Sequence, residues 1–269
     1  MRHYFGAAIL GFFVLYLYVE GSIYAFSRHP VVFAFLIALV LLSTVSIGLV
    51  FNRVDRRHST YPLYGQAALT DFLSVFFGAV LTFLLAVYLD VNVVLASGLI
   101  GTLSALFLKP YAVAIFCGSF LGMSSPEIFE IVPFLIASVL VSSIYVVAKD
   151  VFNGFGGKLG TIALSGVYIS TIIHGREVLE GSYFNFEESL VIIATAIFGA
   201  VVSNMLNVRF SQGAVFGSAF VGVLAGGILP FIFPANGMTL AIVMFGASFV
   251  GMSNRRVLAH EIVVGLTGI

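Results

Sequence analysis

Charged side chains are scarce in this sequence. Of its 269 residues only 9% are charged, whereas a soluble domain carries roughly a quarter. Hydrophobic residues make up 60% of the chain, and its mean hydropathy is +1.13. The formal net charge is zero, and no long basic run occurs, so neither nucleic acid nor an anionic membrane surface is indicated as a partner. An ordinary soluble domain is excluded.

Cysteine and catalytic motifs are almost missing as well. The single Cys117 has no partner for an internal disulfide. The stretch HEIVV at 260–264 lacks the second histidine of a zinc-binding H-E-x-x-H motif. The stretch FNGFGGKLGT at 152–161 resembles a phosphate loop but has Phe152 in place of the first glycine and Leu159 in place of the hydroxyl residue. No serine elbow and no cysteine–histidine metal spacing appears. We predict neither an enzyme nor a cofactor or metal.

Apolar blocks of about 17 to 23 residues fill the chain instead, the length that crosses a hydrocarbon core of roughly 30 Å. Blocks such as 31–51 do not alternate in polarity, which argues against a transmembrane β-barrel. The first block is long for a signal peptide, and we interpret it as a retained helix. We predict an all-α polytopic membrane protein in a plasma (inner) membrane. Its eleven candidate segments are 4–26, 31–51, 67–89, 92–108, 111–124, 127–148, 160–173, 188–208, 213–233, 238–252 and 256–269.

The basic residues suggest an orientation for these segments. Lys and Arg near the ends of spans favour the cytoplasmic side. With a cytoplasmic N-terminus and eleven crossings, ten of the twelve basic residues fall inside, and only Arg28 and Arg176 fall outside. The segments at 111–124, 160–173, 238–252 and 256–269 are short, so each of them is either a full span or a half-helix.

The chain also repeats itself. Residues 77–105 align on 198–226 at an offset of 121, with ten identities in 29 positions, and residues 112–124 align on 241–253 at an offset of 129, with seven in 13. We predict a duplication with an extra helix at 1–30, repeat 1 at 31–148 and repeat 2 at 160–269, in one membrane domain. Five helices is an odd number, so the repeats have inverted topology. Ala148 would correspond to position 277, so the last helix is expected to be short or cut off.

The most similar parts of the two repeats are AIFCGSFLGMSS at 114–125 and VMFGASFVGMSN at 243–254. One interpretation is close helix packing, which in lipid depends on Gly, Ala and Ser. The other is that both short helices end inside the protein and expose a substrate or ion site. On this second interpretation the site residues are Ser119, Gly122, Ser124, Ser248, Gly251 and Ser253. Cys117 aligns with Gly246, which favours a small-residue role.

Polar residues inside the apolar blocks are further candidates. Asp71 is either a functional carboxylate, a carboxylate at a hydrated helix end, or one paired structurally with Lys109 or an arginine. Asn204 and Asn207 share a helix face and either line a polar cavity with Ser203 and Asp71 or bond between helices. Two candidates lie elsewhere: Glu20 suits the membrane interface, and the depth of His260 and Glu261 is undetermined.

These observations favour a secondary transporter of a small solute or ion that works by alternating access, with Asp71 as a proton or cation coupling group. The assignment is an analogy from architecture. A channel-like facilitator and a non-transporting scaffold or assembly subunit are the alternatives. The expected partners are the lipid bilayer and a small-molecule or ion substrate, and homo-oligomerisation is compatible with the sequence.

Overall fold

A computed structural model describes residues 2–26, 30–54, 65–124, 129–175, 186–255, 258 and 261–268. Within these ranges the chain is helical and contains no strand. Five helical stretches are apolar and long enough to cross a membrane, as expected for a helical membrane protein. They are Tyr4–Ile23, Gln66–Tyr88, Ile131–Ala148, Glu187–Arg209 and Ala214–Ile232.

Eleven α-helices are present in the described part of the chain, and each lies within or close to one of the apolar blocks. Their bounds are α1 Arg2–Phe26, α2 Pro30–Val54, α3 Gln66–Tyr88, α4 Val93–Phe107, α5 Ala112–Leu121, α6 Ile131–Ala148, α7 Lys158–Ile173, α8 Phe186–Asn204, α9 Ala214–Ile232, α10 Gly237–Gly251 and α11 Glu261–Thr267. The helix α8 continues into a π-helical segment, Met205–Arg209. Helices α5 and α11 are shorter than the blocks that predict them.

Helices α4 and α9 cross in the middle of the molecule and run antiparallel. Near the start of α4, the Asn92 side-chain amide donates to the carbonyl of Gly226, late in α9, at 2.6 Å. Further along α4, Gly98 lies against the backbone of Gly222, earlier in α9. The two helices share small residues at the crossing, which lets their backbones touch.

The segments on either side of this crossing pack alike. Helix α3 packs on α5 and α6, and α8 packs on α10 and α11. Helix α4 contacts α5 in the same way that α9 contacts α10. The turns before α4 and α9 each contain a left-handed residue, Asp90 (φ 52°) and Ser211 (φ 54°), which are 121 positions apart. The offset found in the sequence therefore relates three-dimensional contacts too.

The remaining three helices lie around α5 and α6. Helix α7 packs on α5 and α6, α1 packs on α6 and α7, and α2 packs on α1. None of the described side chains of α2 is buried. Helices α1 and α2 thus form a peripheral hairpin.

Candidate functional site

Four phenylalanines from α5 and α10 meet beside the central crossing. Phe120 and Phe249, 129 positions apart, have ring centroids 4.5 Å apart, and Phe116 and Phe245, also 129 apart, are separated by 6.0 Å. The two cross pairs lie at 5.9 and 6.5 Å, within the usual range for aromatic contacts. In this phenylalanine cluster each residue touches its own counterpart, as happens on a two-fold axis between identical subunits.

The serine of each motif makes the same pair of hydrogen bonds. Ser119 donates to the carbonyl of Phe116 at 2.9 Å, so its contact with Ser97 at 2.8 Å has Ser97 as the donor. In the second segment Ser248 donates to Phe245, and Ser218 lies 2.7 Å from the Ser248 hydroxyl. All four serines are fully buried. These hydroxyl groups connect α4 to α5 and α9 to α10.

The motif glycines are also packing positions. A Cβ atom on Gly122 would lie 2.5 Å from Cβ of Thr82, and one on Gly251 would lie 2.7 Å from Cβ of Ser203. Thr82 and Ser203 are 121 positions apart, so this contact is duplicated as well. Glycine is therefore needed at both positions, so that α3 can approach Gly122 and α8 can approach Gly251 this closely.

In this conformation the motifs make the contacts of helix packing, one of the two interpretations that the sequence left open. The Ser124 amide donates to the carbonyl of Leu121 at 3.0 Å. The Ser253 hydroxyl accepts from the amide of Gly156 at 3.0 Å. A role for Ser119, Gly122, Ser124, Ser248, Gly251 and Ser253 in binding a solute stays a prediction.

Asp71 forms an ion pair near the start of α3. Its carboxylate lies 2.7 Å from the ammonium group of Lys149, just after α6, and the two side chains are 16% and 20% exposed. Lys109 or an arginine was predicted as the structural partner of Asp71, whereas the structure pairs Asp71 with Lys149. Both groups lie at the end of the bundle where α6 stops and α7 begins, which we call the connection end.

The connection itself, residues 149–157, is bonded to the end of α10. The amide of Asn254 donates to the carbonyl of Gly154 at 2.9 Å, beside the bond from Gly156 to Ser253. The Lys158 ammonium donates to the Lys149 carbonyl at 2.7 Å and to the Asn153 side chain at 2.9 Å. The glycine-rich stretch is thus held to the end of α10 by two backbone hydrogen bonds.

Amide groups from the end of α8 and from the π-helical segment that follows it reach the same end of α10. The side-chain amides of Asn207 and Asn204 donate to the carbonyl of Gly251 at 3.0 and 3.4 Å. Ser203, beside them, is fully buried, and its hydroxyl has no hydrogen-bond partner among the described residues, a property that it shares with Thr102. Buried hydroxyl groups are normally bonded, so the packing of Ser203 against Gly251 leaves its hydroxyl group unexplained.

The corresponding place at the opposite end of the bundle is apolar. Phe83, the counterpart of Asn204, stacks on Phe134 with ring centroids 4.0 Å apart. Thr82, the counterpart of Ser203, donates to the carbonyl of Gly78 at 2.9 Å. At this place one end of the bundle has a stacked pair of aromatic rings, and the other has two amides and a hydroxyl without a partner among the described residues.

The other polar candidates lie away from these groups. Glu20 is exposed, and its carboxylate accepts a long hydrogen bond, 3.4 Å, from the hydroxyl of Tyr168. His260 lies outside the described residues, and so does the side chain of Glu261. Cys117 is fully buried, with its sulfur 3.6 Å from the carbonyl of Leu159. These contacts fit the small-residue role predicted for the cysteine.

Three polar partners were not singled out by the sequence analysis. Ser97 and Ser218 are identical residues at the offset of 121, so the alignment contained a signal for their shared bond. Lys149 gave no such signal, because its pairing with Asp71 depends on how α6 packs against α3.

Comparisons with known proteins add no assignment to this geometry. No protein-family model matches the chain, and neither a curated protein nor a solved structure matches it. Among the described residues, no group of three His, Cys, Asp or Glu side chains is placed to hold a metal ion.

Proposed function

We propose that the chain is an inverted-topology duplication and that it acts as a secondary transporter of a small solute or ion, with its N-terminus in the cytoplasm and its spans in a plasma (inner) membrane. The observation that carries this proposal is the contact of counterpart with counterpart. Phe120 meets Phe249 and Phe116 meets Phe245, beside two counterpart helices that run antiparallel. Inverted halves of this kind surround the solute site in many secondary transporters.

The interface between the halves is suited to relative movement. Where α4 and α9 cross it consists of Gly98, Gly101, Ala219 and Gly222, and beside them lies the phenylalanine cluster. Helices that touch through small side chains and aromatic rings can slide past each other without breaking an ion pair. Related halves have two conformations of similar free energy, which differ in the end that is open, and a ligand that binds them unequally shifts the populations. Alternating access needs two such conformations.

The solute site of this proposal lies at the connection end, around Ser203, Asn204 and Asn207. An unpaired hydroxyl and two amide groups offer both donors and acceptors, which suits a small polar solute or a cation. The phenylalanine cluster separates this site from the opposite end, where Phe83 and Phe134 stack. The connection at 149–157 is bonded to Ser253, two residues after the Gly251 carbonyl that both amides contact. In this proposal it covers the site from its own side and must move for solute to pass.

Asp71 is the coupling group of this proposal. Its carboxylate holds Lys149, the first residue of the connection. Protonation or cation binding at Asp71 weakens this ion pair, since the negative charge is removed or shared. A gradient would then act on the connection that covers the solute site.

Uptake into proteoliposomes tests the proposal. The purified chain is reconstituted with an imposed proton or sodium gradient, a mixture of small solutes is added, and the accumulated solutes are identified by mass spectrometry. We expect saturable uptake of one solute class that requires the gradient. Asn204→Phe, which copies the other repeat, should abolish uptake, whereas the matched variant Thr82→Ser should retain it.

Other results would contradict the proposal. Conductance without saturation in electrical recordings would identify a channel. Absence of flux, together with strict co-purification with another protein, would identify a scaffold or assembly subunit. Uptake whose gradient dependence is unchanged in Asp71→Asn would remove Asp71 from the coupling mechanism and leave the transport assignment intact.

A further inference from the structure

Helix α7 fills a groove between α5 and α6. On the α5 side, the sulfur of Cys117 lies 3.6 Å from the carbonyl of Leu159. On the α6 side, the Ser170 hydroxyl donates to the carbonyl of Pro133 at 3.1 Å, and Gly166 packs against Val141. The pairing of 133 with 170 and of 141 with 166 makes α6 and α7 antiparallel.

The counterpart groove, between α10 and α11, is uncovered in the described part of the chain. Gly246, the counterpart of Cys117, is exposed, and a Cβ atom there would meet nothing within 4 Å. Leu121 is fully buried, whereas its counterpart Val250 is only half-buried. Leu266 on α11 is 64% exposed. A face that a helix covers in one segment is therefore left open in the other.

The helix that corresponds to α7 is α2, since each precedes the first long helix of its repeat. Helix α2 packs on α1, which in turn packs on α6 and α7. It presents an exposed seam of five residues spaced alternately four and three apart, the spacing of helix–helix contacts. This seam consists of Ala34, Ala38, Leu41, Val45 and Gly48. Its alanines and glycine suit close approach to another helix within lipid.

We propose that the groove around Gly246 binds the seam of α2 from a second copy of this chain, and that the second copy receives α2 in return. The resulting dimer has two-fold symmetry, with two equivalent contacts. This inference rests on the duplication proposed above but not on transport. In the predicted topology α2 runs antiparallel to α11, as α7 does to α6. A second copy is required because α2 of the same chain is held by α1 on the far side of the central crossing.

Disulfide cross-linking between two differently tagged chains tests this contact. One chain carries Ala38→Cys, 121 positions before the Leu159 that meets Cys117, and the other Gly246→Cys, both with Cys117→Ala, and they are co-expressed and oxidised in native membranes. We expect a covalent product that carries both tags. In the matched control the second chain keeps Cys117 and Gly246. No product should form there, because α7 covers Cys117.

A second measurement avoids dependence on cysteine geometry. Gly246→Leu places a side chain in the groove and should shift the particle in mild detergent from dimer to monomer size. Gly227→Leu, on α9 outside the groove, should leave the dimer intact. The inference is overturned if no seam position forms the cross-link, or if Gly246→Leu stays dimeric. None of these results depends on solute uptake, so failure here is distinguishable from failure of the transport proposal.

Discussion

The segment from α3 to α6 and the segment from α8 to α11 share their packing but differ in their polar groups. Both keep a serine bond between neighbouring helices, Ser97 with Ser119 and Ser218 with Ser248. They differ where Phe83 stacks on Phe134 and where its counterpart Asn204 instead bonds to Gly251. The shared contacts belong to the architecture, and the unshared ones are where a function is to be sought.

The largest effect should come from the phenylalanine cluster. Phe116→Ala and Phe245→Ala each remove a buried ring, and we expect each to lower the free energy of unfolding by about 3–5 kcal/mol. The double variant should cost less than the sum, because the rings touch. Equilibrium unfolding in mixed micelles measures all three. If one substitution lowered the free energy of unfolding strongly and the other did not, Phe116 and Phe245 would not be equivalent.

The next effect comes from a position where the two motifs differ. A Cβ atom on Gly118 would overlap the carbonyl of Val75, whereas the counterpart, Ala247, has a Cβ atom and is buried. Gly118→Ala should therefore destabilise by about 1–3 kcal/mol through overpacking. The reverse exchange, Ala247→Gly, should cost only about 1 kcal/mol through lower helix propensity. Equal stability of wild type and Gly118→Ala would contradict the close contact of α3 and α5.

A smaller and matched effect is expected from the motif serines. Ser119→Ala and Ser248→Ala each remove one buried hydroxyl partner, at a cost of about 0.5–1.5 kcal/mol. Ser143→Ala, whose hydroxyl bonds to its own helix at an exposed position, serves as the control and should be nearly neutral. The same unfolding assay applies. Costs that differ widely between the two motifs would show that the serine bonds are not equivalent.

The smallest effect on stability is expected at the ion pair. Asp71→Asn should cost less than about 1 kcal/mol, because the pair is partly exposed. Asp71→Asn should nevertheless loosen the connection at 149–157. Cys117 is buried against Leu159, just after this connection, and should then be alkylated faster by a maleimide. Asp90→Asn, at an exposed turn where asparagine tolerates the left-handed conformation, is the control. If the alkylation rate of Cys117 is unchanged in Asp71→Asn, the ion pair does not hold the connection in place.

The helices and their repeat were readable from the sequence, because both are encoded in runs of apolar residues and in spaced Gly, Ser and Phe. The segment at 238–252 corresponds to helix Gly237–Gly251 within a residue. The change from α-helix to π-helix at Met205 was not readable. Asn207, within that segment, bonds to the carbonyl of Gly251, which belongs to another helix, and π turns of this kind often occur at functional sites.

The candidate site, too, was predictable from the sequence only in part. The motif residues were found from sequence, but their partners were not, since a hydroxyl that binds solute and one that joins two helices look alike in a single chain. Ser203 was noticed only as a neighbour of two asparagines. Its interest depends on its lacking a hydrogen-bond partner in the described part of the chain, which only the packed structure reveals.

The connection at 149–157 makes the two segments parts of one polypeptide. Two separate identical chains that met around the same axis would have to carry identical residues, so a polar replacement at one end would appear at the other. Within one chain the two ends can differ, as they do where position 83 is phenylalanine and position 204 is asparagine.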